Sequence, residues 1–291
     1  NKDFKFDEPF EGLFTQGMVC HETYKDQNNN WLSPDQIVSA GDKYYKKDEP
    51  ENIVKVGPSE SMSKSKKNVI DPENIMDSYG ADAVRLFILS DSPPEKDVQW
   101  SDTGISASYK FLQKLWVLNE KVVSNKKKFK SFDVDLEKFT NQIIKKFDDD
   151  LNRFGFNVTI ASIYKIYTFY NKQISKEDWG NNFYKNYLNI LEIINPIIPH
   201  FSNECLEKLN HPIKNITWPP IDKKYLEEEI FQIVTQINGK KRKVFSINKS
   251  IDKETIINKI KNDDQIKKYL DNKKIIKTIY IENKLINFII Q

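Results

Sequence analysis

The stretch Ser61-Met62-Ser63-Lys64-Ser65-Lys66-Lys67-Asn68 places three lysines within four positions and interleaves them with three serines. Ammonium groups supply charge to phosphate oxygens, and hydroxyls supply hydrogen bonds. The stretch has no glycine, so it is not a P-loop, whose glycines let backbone amides cradle phosphates. Gly57-Pro58-Ser59 precedes it and reads as a mobile loop. Asp71-Pro72-Glu73 follows it: a capping carboxylate, a proline at the first helical position and an acid in the first turn. A lysine-tipped loop is therefore expected, pinned to the start of a helix. Such a loop can bring positive charge onto a polyphosphate when it closes and withdraw it when it opens. The plain alternative is a solvated basic loop.

Upstream of this loop, short apolar runs alternate with polar breaks. Leu13-Phe14-Thr15-Gln16-Gly17-Met18-Val19 reads as a strand, in which Gly17 would let the backbone approach a ligand or neighbour closely. Gln27-Asn28-Asn29-Asn30 reads as a turn, Trp31 and Ser33-Pro34 as an extended piece, and residues 35–38 as a short helix. Downstream, residues 71–90 read as two helices broken at Tyr79-Gly80. Arg85 inside the second is expected to be a structural ion-pair partner.

From residue 102 to 210 the apolar period is helical. Ile105, Phe111, Leu112, Leu115, Trp116 and Leu118 mark one helix. A lysine-rich linker over 125–131 follows, then helices over 134–147, 157–170 and 184–194, and a short one over 199–209. Short connections make this an antiparallel bundle. Its aromatic stripe (Phe154, Phe156, Tyr164, Tyr167, Phe169, Tyr170) invites a base-stacking reading, but helical spacing favours core packing. Trp218-Pro219-Pro220 closes the bundle as a stiff linker.

The last 70 or so residues read as a small α+β module. Residues 231–237 alternate toward Asn238-Gly239, a strong hairpin signal, and Lys240, Lys241, Arg242 and Lys243 lead the returning strand. Asp252 caps a helix over 253–261, and a shorter one runs to Leu270. Residues 274–281 alternate again, turn at Glu282-Asn283-Lys284 and end in a strand over 285–290. A sheet with helices on one face and lysines on the other could hold a phosphate backbone.

Composition sets bounds on these readings. The chain has 291 residues, 38% apolar and 30% charged, with 12% aromatics, too many for a disordered chain. No run approaches the roughly 18 apolar residues of a membrane helix. Asn1-Lys2-Asp3, without an initiator methionine, suggests a piece of something longer. Cys20 and Cys205 are far apart and form no Cys-x-x-Cys pair. His21, His200 and His211 show no metal-ligand spacing, so no metal site is expected. Net charge is +3, but residues 223–291 carry 16 Lys plus Arg against 9 Asp plus Glu, leaving −4 on the rest. A basic C-terminal module implies a polyanion partner.

Met62-Ser63-Lys64-Ser65 resembles the second signature of class I aminoacyl-tRNA synthetases, Lys-Met-Ser-Lys-Ser. The continuation through Val69-Ile70-Asp71-Pro72 and Tyr79-Gly80-Ala81-Asp82-Ala83-Val84-Arg85 is similar to the leucine, isoleucine and valine enzymes. Ser92-Pro93-Pro94-Glu95-Lys96-Asp97-Val98-Gln99-Trp100-Ser101 resembles the bacterial-type leucyl-tRNA synthetases in particular. Val234-Thr235-Gln236-Ile237-Asn238-Gly239-Lys240 resembles their C-terminal domain. Ser61 departs from the signature, which has a lysine there. The first signature, His-Ile-Gly-His, is absent from the chain.

The resemblance implies a multidomain, mainly α fold. Residues 1–95 would be the end of a Rossmann-like catalytic domain carrying the signature loop, 96–221 a helical bundle like the anticodon-binding domain, and 222–291 an α+β tRNA-binding domain. It implies an ATP-dependent leucine–tRNA ligase, with Mg2+ accompanying ATP and tRNA-Leu as partner, in the cytoplasm. Ser61, Met62, Ser63, Lys64 and Ser65 would form the ATP-binding loop, with Lys64 catalytic. Leucine and ATP would need the upstream portion of the same enzyme, so the chain alone is expected to be inactive. The alternatives are a non-catalytic tRNA-binding module, or a fragment of a valine or isoleucine enzyme.

Overall fold

The structure, a computed structural model, describes all residues except 1–7, 9, 42, 126, 213, 215, 227–229, 249, 250, 272 and 283, with only the backbone at 230 and 248. The linker expectation at residue 126 and the turn expectation at Asn283 lie outside the described residues. The chain divides into two compact units, Asn1–Ile221 and Asp222–Gln291.

The first unit begins with six strands: β1 (Val19–Lys25), β2 (Trp31–Leu32), β3 (Ile37–Ala40), β4 (Lys43–Lys46), β5 (Glu49–Ile53) and β6 (Lys55–Ser61). Strand β1 pairs antiparallel with β6 along one edge. Its other edge takes β2 antiparallel and β7 (Val98–Gln99) parallel. Strands β3, β4 and β5 form a separate antiparallel sheet. Four paired strands thus stand where the sequence suggests one buried strand. The asparagine run turns the chain as expected: the Asp26 carboxylate accepts the Asn28 and Asn30 N–H groups at 2.8 Å, with Asn29 left-handed at φ 63°.

Three local expectations are corrected. The first strand begins at Val19 and does not include residues 13–18. There the Gly17 N–H donates to the Pro94 carbonyl at 2.8 Å and the Met18 N–H to the Asp97 carboxylate at 2.8 Å, so the backbone bonds a loop and not a ladder. A Cβ on Gly17 would come within 2.1 Å of the Lys96 carbonyl oxygen, so the close neighbour there is the chain itself. Gly57-Pro58-Ser59 is no mobile loop but lies inside β6. That strand is an edge, where a missing N–H is tolerated, and its register with β1 shifts at Glu22/Thr23. The third correction concerns residues 35–38: a single 3-10 turn, Pro34–Gln36, leads directly into β3.

Helices α1 (Pro72–Tyr79) and α2 (Ala81–Ser90) follow the loop. The bundle proper comprises α3 (Asp102–Val123), α4 (Val134–Asn152), α5 (Phe156–Ile174), α6 (Phe183–Ile194) and α7 (Pro199–Lys208). One core joins them: Leu86 from α2 packs with Leu115, Phe147, Ile163, Tyr170 and Ile190. The aromatic stripe is largely packing. Tyr170 is fully buried, Phe169 stacks on Phe139 at 3.7 Å and Tyr164 on Phe111 at 3.9 Å. Two short strands that periodicity does not reveal, β8 (Phe129–Lys130) and β9 (Trp179–Gly180), pair in parallel beside it.

Arg85 makes no ion pair among the described residues. Its guanidinium donates to the Pro196 carbonyl at 2.7 Å and the Ile197 carbonyl at 2.9 Å, in the turn between α6 and α7. Backbone carbonyls near a helix end offer a partial negative charge, which replaces the expected carboxylate.

The second unit contains β10 (Ile230–Ile237), β11 (Lys240–Asn248), α8 (Lys253–Lys261), α9 (Asp264–Leu270), β12 (Ile275–Ile281) and β13 (Leu285–Ile290). The sheet order is β11-β10-β13-β12, with β10 and β13 parallel and the outer pairs antiparallel. Asn238 and Gly239 turn the hairpin with φ of 47° and 79°, as its sequence demands. Ile233, Ile237, Ile247, Ile286 and Phe288 face Ile256, Ile260 and Ile266 of the helices. The opposite face is not a lysine face. It is mixed, carrying Val234, Val244, Leu285, Ile279 and Ile281 together with exposed Lys277, while strand parity puts Lys243 on the side of Phe245 and Ile247.

Candidate functional site

The lysine loop leaves the end of β6 and enters α1. Its frame is Asn68, fully buried. The Asn68 carboxamide oxygen accepts the Ser63 N–H at 2.8 Å. Its amide nitrogen donates to the Glu60 carbonyl at 3.1 Å and the His21 carbonyl at 3.2 Å. One side chain thus ties the start of the loop, the end of β6 and the middle of β1. Burial pushes the His21 imidazole below its ordinary pKa, so the ring beside this anchor stays neutral at pH 7.

Serines complete the frame. The Ser63 hydroxyl accepts the Lys66 N–H at 3.3 Å and lies 3.2 Å from the Ser65 hydroxyl. Ser61 ends β6, paired with Cys20, and the Met62 N–H donates to the Val19 carbonyl at 3.2 Å. Residues 64–67 form the tip, with Lys67 left-handed at φ 56°. Asp71 caps α1 by accepting the Glu73 N–H at 3.0 Å, with Pro72 in the first turn.

The three lysines differ in state. Lys66 pairs with the Glu60 carboxylate. Lys64 and Lys67 are exposed, and no ion pair to either is found among the described residues. The arrangement presents two unpaired ammonium groups on a tip held to a rigid strand. That suits a mobile anion with several charges. Asn68 and Glu60 escape a reading by residue type, because their signal is three-dimensional. The one local hint is an asparagine closing the lysine run just ahead of Val69-Ile70.

The four basic residues that lead the returning hairpin strand, Lys240 to Lys243, separate into two pairs. Arg242 lies over the Tyr269 ring, 4.2 Å from its centroid, and Lys243 pairs with Asp263 at 2.6 Å. Asp263 caps α9, and its pKa is lowered by that lysine first. Arg242 and Lys243 therefore hold α9 against the sheet edge. Lys240 and Lys241 stand exposed at the hairpin end.

Among the described residues, no three His, Cys, Asp or Glu side chains cluster to hold a metal ion. The described residues thus offer no protein-only cage for Mg2+. No helix among the described residues is long and apolar enough to cross a membrane.

Comparison with known proteins bears on both regions. Residues 22–101 match the model of class I tRNA synthetases (I, L, M and V), and residues 133–276 match the anticodon-binding domain of tRNA ligases. The chain is 39% identical to the leucine–tRNA ligase of Rickettsia bellii and 37% identical to that of Rickettsia canadensis, over 97% of its own length and 34% of theirs. Among solved structures, a LeuRS of Agrobacterium radiobacter, in ternary complex with tRNA and LeuAMS, superposes with a TM-score of 0.66. The match has 22% identity and covers 79% of this chain and 31% of that one, a likeness of fold. The chain spans about a third of the length of the curated relatives it matches. By these matches it belongs to the leucine–tRNA ligase family of class I synthetases.

Proposed function

We propose that this chain is the part of a leucine–tRNA ligase that carries the nucleotide-closing loop and tRNA-binding surfaces. The observation that carries the reading is the framed loop itself: Lys64 exposed on a tip that Asn68 and Ser63 fix to β6 and β1. In the proposed first step a leucine carboxylate oxygen attacks the α-phosphorus of ATP. The bond to pyrophosphate breaks, and its electrons leave with the pyrophosphate oxygen. Negative charge builds on the α-phosphate and on the leaving group. Lys64, arriving with loop closure, stabilises that charge more in the transition state than in the ground state. Ser63 and Ser65 hold the tip. Mg2+ is assigned no ligand and no step in this chain. In the second step a terminal ribose hydroxyl of tRNA-Leu attacks the leucyl carbonyl, and AMP leaves.

In this reading Lys240 and Lys241 meet the tRNA backbone directly, while Arg242 and Lys243 hold the hairpin in place to do so. The leucine pocket and the first signature belong to residues outside this chain. Leucine-dependent pyrophosphate exchange by the purified chain tests that division. None is expected, and exchange by the chain alone would overturn it.

A non-catalytic tRNA-binding role is the second reading. It is favoured by Ser61, which leaves the loop without the signature's first lysine.

A further inference from the structure

We infer that Lys66 is a second phosphate-binding residue of the loop and that Glu60 is its displaceable counter-ion. The inference rests on the nucleotide reading of the loop. Glu60 acts twice. Its carbonyl accepts the Asn68 amide at 3.1 Å, which fixes the end of β6, and its carboxylate pairs with the Lys66 ammonium. The Lys66 backbone is held independently, its N–H donating to Ser63 Oγ at 3.3 Å. The ammonium is therefore parked at the strand end next to Ser61, whose own side chain carries no charge.

The pair is built to open. Its side chains are 40% and 36% exposed, so water and salt weaken the attraction. One carboxylate offers a single negative charge, whereas a triphosphate offers several within a few ångströms and draws the ammonium away. On binding, Lys66 exchanges a carboxylate oxygen for a phosphate oxygen, and its backbone need not move. Lys64, two residues earlier on the same tip, meets the anion from its other end. Two cations on one short turn fit the triphosphate part of a nucleotide better than an isolated phosphate. Glu60 then lowers resting affinity, and it gives Lys66 a partner when the loop is empty.

Calorimetric titration with inorganic tripolyphosphate tests this, in a K240A/K241A background that removes the hairpin's own affinity for polyanions. Glu60→Gln is expected to tighten binding about twofold to fivefold, a gain that shrinks at high salt. Lys66→Ala is expected to weaken binding at least about threefold and to abolish the effect of Glu60→Gln, the sign of a coupled pair. Both side chains are only partly buried and neither belongs to a core, so unchanged circular dichroism is expected and reports intact folding. If Lys66→Ala binds as the background does while Lys64→Ala loses binding, the inference falls and the nucleotide reading stands. If neither lysine matters, or nothing binds, both fall.

Discussion

The Asp82 carboxylate, on α2, accepts the backbone N–H of Phe201 at 2.7 Å, a contact across 119 residues of sequence. It also approaches the His200 ring nitrogen at 3.1 Å, and Asp82 is itself buried. Helix α7 has no side-chain cap of its own at Ile198, so Asp82 supplies one from outside. One turn along α2, Arg85 binds the carbonyls of the same α6–α7 turn. Helix α2, the second after the loop, thus grips both sides of one turn in the bundle. Asp82→Ala should cost about 1–2 kcal/mol and lower the unfolding midpoint by about 3–6 °C. A midpoint within 1 °C or so of wild type would remove the cap from this account.

Asn68→Ala should loosen the loop without unfolding the unit. The substitution strips the Glu60 and His21 carbonyls of their donor, at a cost of about 1–3 kcal/mol, most of it local. Limited trypsin digestion reads this directly, since Lys64, Lys66 and Lys67 are all cleavage sites. Faster cutting at these bonds, with little change elsewhere, is expected; an unchanged rate would show that the anchor does not hold the tip.

Acid should weaken the bundle through Glu137. Burial raises its pKa, but the Asn186 and Asn182 amides and Lys185 outweigh that, so the net shift is downward from 4.5. The Asn186 and Asn182 contacts are 2.7 and 2.9 Å. A depressed folded pKa contributes stability that is fully present above the unfolded value and is lost as pH falls through the folded one. Denaturant midpoints should therefore hold steady down to about pH 5 and fall below it. Glu137→Gln should flatten that fall; an equally steep fall in the variant would assign it to other carboxylates.

At the hairpin, tRNA binding across a salt series separates contact from support. Lys240→Ala with Lys241→Ala should lower affinity and reduce the salt slope by about 1–2. Lys243→Ala should instead lower the stability of the second unit, because it breaks the Asp263 pair that caps α9. Equal effects of both changes on the slope would mean that Lys243 meets the polyanion as well.

Much of the fold is legible in the sequence because its causes are local. The Asp71-Pro72 start, the Asn238-Gly239 hairpin and the 3.6 period of α3 to α6 each carry their reason within a few residues. The failures share a different cause. Gly57 and Pro58 signal a loop by propensity, yet pairing with β1 overrides it, and Thr23 donates to the Pro58 carbonyl at 3.2 Å. Arg85 finds carbonyls that chain order places more than a hundred residues away. For the site, residue type exposes the lysines. Only the fold shows that Glu60 occupies one of them and that Asn68 frames the tip.

The central claim is that Lys64 delivers charge to the reacting phosphates. It is tested most directly by grafting these 291 residues in place of the matching third of the Rickettsia bellii ligase and measuring leucine-dependent pyrophosphate exchange. The graft should exchange, and Lys64→Ala should lower kcat by about 100-fold or more, the usual cost of removing one transition-state donor. Because Lys64 is exposed, its loss should leave the unfolding midpoint unchanged. An active graft whose Lys64→Ala variant exchanges at the same rate would contradict the account.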